Sequence, residues 1–214
     1  MPFFWSYHMN SLRVCLACSA SFVCAASANL IVNGSFEESS LNPGSTWSVL
    51  GGGNTSIEGW TTVGGGVDYF GTYITASDGL HSIDINNVTP NGGIAQTFAT
   101  TVGWVYTVEF DMSANMAGGP STKIMRVNAA GDSEDFEFDY VAAGSTQLDP
   151  AWERMSWTFT ATSSSTNLWF EGITGGVFGA ALDNVVVTGV PTPGALAGFG
   201  MVGLLATRRR RYEG

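Results

Sequence analysis

Between residues 29 and 189, apolar and polar side chains alternate with the period of a β-strand, and no sustained helical period appears. In the run Trp104-Val-Tyr-Thr-Val-Glu-Phe-Asp, the residues Trp104, Tyr106, Val108 and Phe110 fall on one face, while Glu109 and Asp111 fall on the other. Asp135-Phe-Glu-Phe-Asp-Tyr alternates in the same way, with Phe136, Phe138 and Tyr140 inward and carboxylates outward. Trp157 and Phe159 repeat the pattern in 156–161. Further strands are predicted at 29–35, 67–74, 81–85, 94–99, 122–129, 167–173 and 183–188. Turn-forming clusters separate them: Asn42-Pro-Gly, Gly51-Gly-Gly-Asn, Asp78-Gly, Ala117-Gly-Gly-Pro and Gly175-Gly. About ten short strands with glycine-rich turns predict an all-β fold. The expected architecture is a two-sheet antiparallel β-sandwich, most simply a jelly roll.

The two ends of the 214-residue chain depart from this pattern. Arg13 precedes an apolar stretch over 14–26, and Ala26-Ser-Ala supplies small residues before Asn29. Residues 1–28 therefore read as a secretory signal peptide cut between Ala28 and Asn29, with translation starting at Met1 or Met9. All three cysteines, Cys15, Cys18 and Cys24, lie in that leader, so the CxxC spacing is no redox or metal motif and the domain has no disulfide. At the other end, 190–214 combines a proline-bounded linker (Pro191, Thr192, Pro193, Gly194), an apolar stretch and Arg208, Arg209, Arg210 and Arg211. The stretch from 194 to 207 is 14 residues, short of the roughly 20 that cross a bilayer stably. The arginines would hold its end on the cytoplasmic side. This tail resembles the PEP-CTERM sorting signal, with Thr192 where the family pattern has Glu. The resemblance implies a hydrophobic sorting helix, transient membrane insertion, and processing by an exosortase-type membrane protease after passage through the secretion machinery. An unprocessed membrane-tail anchor is the alternative. Either way the chain is expected to be exported to the cell envelope, cell surface or extracellular matrix of a bacterium.

What remains, 29–189, is about 160 residues, enough for one domain with a sizeable core. Its charge is lopsided. Seventeen of the 18 acidic residues but only three of the eight basic ones (Lys123, Arg126 and Arg154) fall here, a net charge of −14 against −10 for the whole chain. Such a surface disfavours nucleic acid and anionic lipid, and it favours divalent cations.

Candidate chemistry is sparse. His81 is the one histidine in the domain. It is either a hydrogen-bonded structural residue or the sole available base for a serine triad. Glu109 with Asp111, and Glu137 with Asp139, are carboxylate pairs on shared strand faces, at a spacing compatible with glycoside hydrolysis but equally with an ordinary solvated sheet. Six tryptophans lie in the domain. Trp104 and Trp157 share strand faces with phenylalanine and are expected in the core. Trp60 and Tyr69 sit beside glycine-rich loops near Asp68. They are the first candidates for a sugar-stacking platform, with packing as the competing role.

The segments Asn29-Leu-Ile-Val-Asn-Gly-Ser-Phe-Glu and Gly179-Ala-Ala-Leu-Asp-Asn-Val-Val-Val resemble the first and last strands of galactose-binding-like jelly rolls, which include many carbohydrate-binding modules. That resemblance implies one structural calcium ion held by Glu37 and Asp183; the alternative makes Asn33-Gly a simple turn and Asp183 the start of a strand. Gly66-Val-Asp-Tyr-Phe-Gly, Ala76-Ser-Asp-Gly-Leu-His-Ser-Ile-Asp-Ile-Asn, Gly92-Gly-Ile-Ala-Gln-Thr-Phe and Tyr106-Thr-Val-Glu-Phe-Asp-Met-Ser-Ala-Asn, with Ala181-Leu-Asp-Asn-Val, are similar to the choice-of-anchor C family. Those bacterial surface proteins are related to the plant cell-wall domain-of-unknown-function 642 proteins. The resemblance implies a β-sandwich with a cell-surface or polysaccharide role and no assigned catalytic residue. Three functions are compatible: non-catalytic polysaccharide recognition through Trp60, Asp68 and Tyr69, a displayed structural matrix component, and a polysaccharide-cleaving enzyme.

Overall fold

The computed structural model describes residues 28–87 and 91–192. Eleven strands form: β1 (Trp47–Leu50), β2 (Thr61–Gly64), β3 (Val67–Phe70), β4 (Ser82–Asp84), β5 (Gly92–Ala99), β6 (Val105–Ala114), β7 (Thr122–Ala129), β8 (Asp132–Asp139), β9 (Glu153–Thr160), β10 (Ser165–Gly172) and β11 (Ala180–Val190). They pair antiparallel into two sheets, of order β1-β3-β4-β11-β6-β9 and β2-β5-β10-β7-β8. Sequence-distant strands lie side by side (β11 between β4 and β6, β10 between β5 and β7), which gives the expected jelly-roll sandwich.

Period-two patterning decides which side chains meet between the sheets. Tyr106, Val108, Phe110 and Met112 of β6 face Met125 and Val127 of β7 and Leu168 and Phe170 of β10. Phe110 meets Phe136 at 5.1 Å and Phe170 at 5.2 Å, both edge-on, the favoured aromatic geometry. Trp104 and Trp157 pack partly buried against this core, as their parity predicts.

Two local expectations are corrected, and two short strands appear that the pattern does not predict. Residues 29–35 form no strand. Asn29 takes over part of the pairing with β11, its Oδ1 accepting from Val187 N (2.9 Å) and its Nδ2 donating to Val185 O (3.2 Å). Asn33 and Phe36 then adopt positive φ (53° and 60°), bending the chain so that the Phe36 ring enters the core. Strand β3 stops at Phe70 rather than residue 74, because Gly71 turns in against Gly44. A Cβ there would lie 1.9 Å from Gly44 O. The four-residue strands β1 and β2, flanking the Gly51-Gly-Gly turn, carry too little alternation to be seen in the sequence.

Candidate functional site

Glu37 and Asp183 hold different parts of one loop, 77–81. Asp183 Oδ2 accepts Ser77 N (2.8 Å), Ser77 Oγ (3.1 Å) and Asp78 N (3.0 Å), and its Oδ1 accepts Asn184 N (2.7 Å). Glu37 Oε1 accepts Leu80 N (2.8 Å) and His81 N (2.7 Å), while Oε2 meets His81 Nδ1 at 2.9 Å. Two carboxylates thus pin the segment 77–81 through its backbone N–H groups. Burial pushes the Asp183 carboxyl up to about 7 despite these hydrogen bonds. Oxygens aimed at N–H donors do not fit the calcium shell that the resemblance implies, since a cation there would face those donors' positive ends. Among the described residues, no three His, Cys, Asp or Glu side chains gather into a metal-binding group. His81 is the structural histidine of the two alternatives: besides Glu37, it stacks on Tyr69 with ring centroids 5.1 Å apart.

The expected aromatic platform is also corrected. Trp60 is 2 % exposed, lies 5.2 Å from Phe36 and 6.3 Å from Phe170, and donates Nε1–H to Asn33 O (2.9 Å). Tyr69 is fully buried, with its hydroxyl on Phe36 O at 2.8 Å. Neither ring offers a face to solvent. Asp68, one residue from Tyr69, lies on the opposite face of the sheet.

Three of the four carboxylates in the surface pairs, Glu109, Asp111 and Asp139, serve local structure. Arg154 lies 4.0 Å from Glu109 and 3.0 Å from Asp111, and Asp111 also accepts from Ser77 Oγ and Asn184 Nδ2. Asp139 caps the turn after β8 by accepting Val141 N and Ala142 N. Those bonds, Ala142's foremost, hold its carboxyl below the ordinary value. Of the sorting-signal residues, Pro191 and Thr192 follow β11 as half-buried irregular chain. Pro193, Gly194 and Arg208–Arg211 lie outside the described residues, as does the leader up to residue 27.

The surface best built for a ligand is the outer face of the five-stranded sheet, which sequence reasoning passed over. On the central strand β10, Leu168 and Phe170 point into the core, leaving Asn167, Trp169 and Glu171 outward. The register aligns Thr61, Ala95, Trp169, Asn128 and Ser133 in one row across the sheet. Val63, Gly93, Glu171, Arg126 and Asp135 form the next. Trp169 is 38 % exposed. Beside it on β5 stand the small residues Ala95 and Gly93, with the Val63 side chain over Gly93. On its other flank, Trp169 borders a cavity of about 210 Å³ with Asn128 and the β7–β8 turn, residues 129–133. Polar side chains occupy the positions around the ring. Asn167 Nδ2 donates to Thr97 Oγ1 (3.0 Å), Arg126 is held bidentate on Asp135 (2.6 and 2.8 Å), and Asn128 Nδ2 is buried without a partner. A flat ring among fixed donors and acceptors can stack a C–H-rich face and hydrogen-bond hydroxyls at its rim. The outward Trp between Asn167 and Glu171 was the sequence signal: an aromatic at the polar parity of an alternating strand.

Residues 29–188 match the model of a family described as "Protein of unknown function (DUF642)". The chain belongs to the DUF642 family. Among curated proteins, this DUF642 domain is 29 % identical over 169 residues to halomucin of Haloquadratum walsbyi. The match covers 77 % of this chain and 2 % of halomucin, so the chain spans a small fraction of that relative's length. Among solved structures, an arabinose-bound α-L-arabinofuranosidase matches with a TM-score of 0.51 at 10 % identity, over 76 % of this chain and 26 % of that enzyme; the likeness shows the fold alone. The xylan-binding CBM22-1 domain of Xyn10C from Paenibacillus barcinonensis matches with a TM-score of 0.45 at 17 % identity, over 78 % of this chain and 99 % of that domain.

Proposed function

We propose that this DUF642 domain is a non-catalytic polysaccharide-binding module whose ligand lies across the five-stranded sheet over Trp169. The observation that carries the reading is the 38 % exposed indole of Trp169 on the central strand of the five-stranded sheet, with Asn128, Glu171 and Arg126 at neighbouring register positions and a cavity of about 210 Å³ at its flank. An extended polymer matches a face that runs across several strands better than a compact metabolite does. An aromatic surrounded by pre-positioned polar groups is also the combination that sugars require. A purely displayed matrix component calls for no such ring at the surface. Of the surface carboxylates considered for catalysis, Glu109 and Asp111 are held by Arg154, and Asp139 caps the turn after β8.

Delivery is part of the same proposal. The leader over 1–28 and the tail over 190–214 support export and exosortase-dependent sorting of a choice-of-anchor C type protein to the bacterial cell surface. Intact mass of the full chain, recovered from a host with and without an exosortase, tests this; an unchanged tail in both would remove the processing step. For binding, the purified full chain is titrated against a panel of soluble plant and bacterial polysaccharides. The reading expects saturable binding to one class, weakened at least tenfold by Trp169→Ala, as befits a central Trp anchor. Binding unaffected by that substitution would overturn the assignment of the face.

A further inference from the structure

The opposite sheet carries a second, smaller pocket. On its outer face the register places Asp68 of β3 directly opposite Asp84 of β4, and Trp47 of β1 opposite Phe70. Both carboxyls are covered, Asp68 being 8 % exposed and Asp84 fully buried. Their surroundings differ. Asp84 Oδ1 accepts Asn86 N and Gly179 N, each at 3.0 Å, and its Oδ2 accepts Asn115 Nδ2 at 2.7 Å. The Lys123 ammonium donates to Gly118 O and Phe178 O, each at 2.7 Å, and the nearby Asp84 offsets part of the burial that lowers its pKa. Asp68 has no such support: its Oδ1 is buried without a hydrogen-bond partner.

Asp68 lines a cavity of about 40 Å³ together with Trp47, Phe70, Tyr73, Asn115 and Phe178. The volume suits a single ammonium group or a few waters. Around it stand rings in contact: Trp47 and Tyr73 have centroids 4.9 Å apart, Phe70 and Tyr73 5.5 Å. Trp47 remains 45 % exposed, a ledge at the mouth. An unpaired buried carboxylate is costly unless a cation or donors meet it. Aromatic walls favour an organic cation over a hydrated metal ion. Burial lifts the Asp68 carboxyl to about 6, the direction expected of an acid with no positive partner beside it.

We infer that this pocket binds an amino sugar, with the 2-ammonium group seated on Asp68 among the rings and the pyranose face lying on Trp47. The site is on the other sheet from Trp169 and stands independently of binding there. The test titrates the full chain with glucosamine, N-acetylglucosamine, glucose and methylammonium at pH 7.5 and 150 mM salt, following the Trp47 indole N–H by NMR. Expected are saturable shifts with glucosamine and at least tenfold weaker effects from the two neutral sugars. Methylammonium, lacking the ring, should bind more weakly than glucosamine. Asp68→Asn, isosteric and checked for folding by its melting temperature, should lose the glucosamine response while Trp169→Ala keeps it. Equal response to glucose, equal response to methylammonium, an undiminished response in Asp68→Asn, or no response in the wild-type chain would each overturn the inference.

Discussion

Replacing Trp60 by alanine separates a core indole from a ligand platform. Trp60 is 2 % exposed, sits between Phe36 and Phe170, and donates one hydrogen bond to Asn33 O. Truncating such a side chain costs roughly 3–5 kcal/mol from lost burial and the cavity left behind. The lost hydrogen bond adds up to about 1 kcal/mol, because the carbonyl of half-buried Asn33 can turn to water. In a domain of this size each kcal/mol moves the melting temperature by about 2–4 °C. Trp60→Ala should therefore melt roughly 6–24 °C below wild type, while below its transition it keeps the wild-type affinity for polysaccharide. Trp60→Phe, which keeps most of the ring packing, should fall between the two. Trp169→Ala should show the converse, a loss of only about 1 kcal/mol, typical of a partly exposed site, with binding lost. Thermal unfolding by circular dichroism, paired with affinity at 20 °C, reads both quantities. A Trp60→Ala protein that melts within about 2 °C of wild type yet binds no polysaccharide would refute the placement of this ring.

Asp183→Ala leaves the N–H groups of Ser77 and Asp78 without their acceptor, at roughly 1–3 kcal/mol for each orphaned donor that stays buried. Its melting temperature should fall by about 5–15 °C. The drop should be the same in calcium and in chelator; a drop seen only with calcium would show that the carboxylate holds the ion. Stability should rise as pH is lowered from 7.5 to about 5. Asp68, Asp84 and Asp183 titrate at about 6, 7 and 7 in the fold, against 3.8 for an ordinary aspartate. Between those limits the native state binds more protons than the unfolded chain, so acid favours folding. Below about pH 4 the trend reverses as Asp135, held low chiefly by its hydrogen bond to Arg126, and Asp139 are neutralised. Urea midpoints at pH 5.0 and 7.5 check the sign; a lower midpoint at pH 5.0 would contradict it.

Long alternating strands were legible in the sequence because only one of their faces is buried. β7 falls at the predicted 122–129, and the inward sets of β6, β8 and β9 follow from parity. Parity fails where both faces are covered. Every residue of β3 is buried, so nothing in Val67-Asp-Tyr-Phe distinguishes the core-facing Tyr69 from Asp68 and Phe70 on the other side. The same double burial concealed the pairing of Asp68 with Asp84, which depends on a register between strands. Trp60 was misjudged for a related reason: glycines mark it as near a loop, but the positive-φ bend at Phe36 brings the aromatic neighbour that covers it. Glu37 and Asp183 are expected from the sequence to share a calcium ion, whereas in the fold each accepts backbone N–H groups of the loop 77–81. That their partner is this backbone rather than an ion depends on a loop conformation that the sequence pattern leaves open.

The central claim is that the Trp169 face recognises polysaccharide, and its most direct test is NMR mapping of the full chain with the polysaccharide that binds it best. The account predicts that the largest shifts cluster on Trp169, Asn128, Asn167 and the small residues Gly93 and Ala95, and that Trp169→Ala abolishes them. Shifts confined to the six-stranded sheet, or binding that persists in Trp169→Ala, would contradict it.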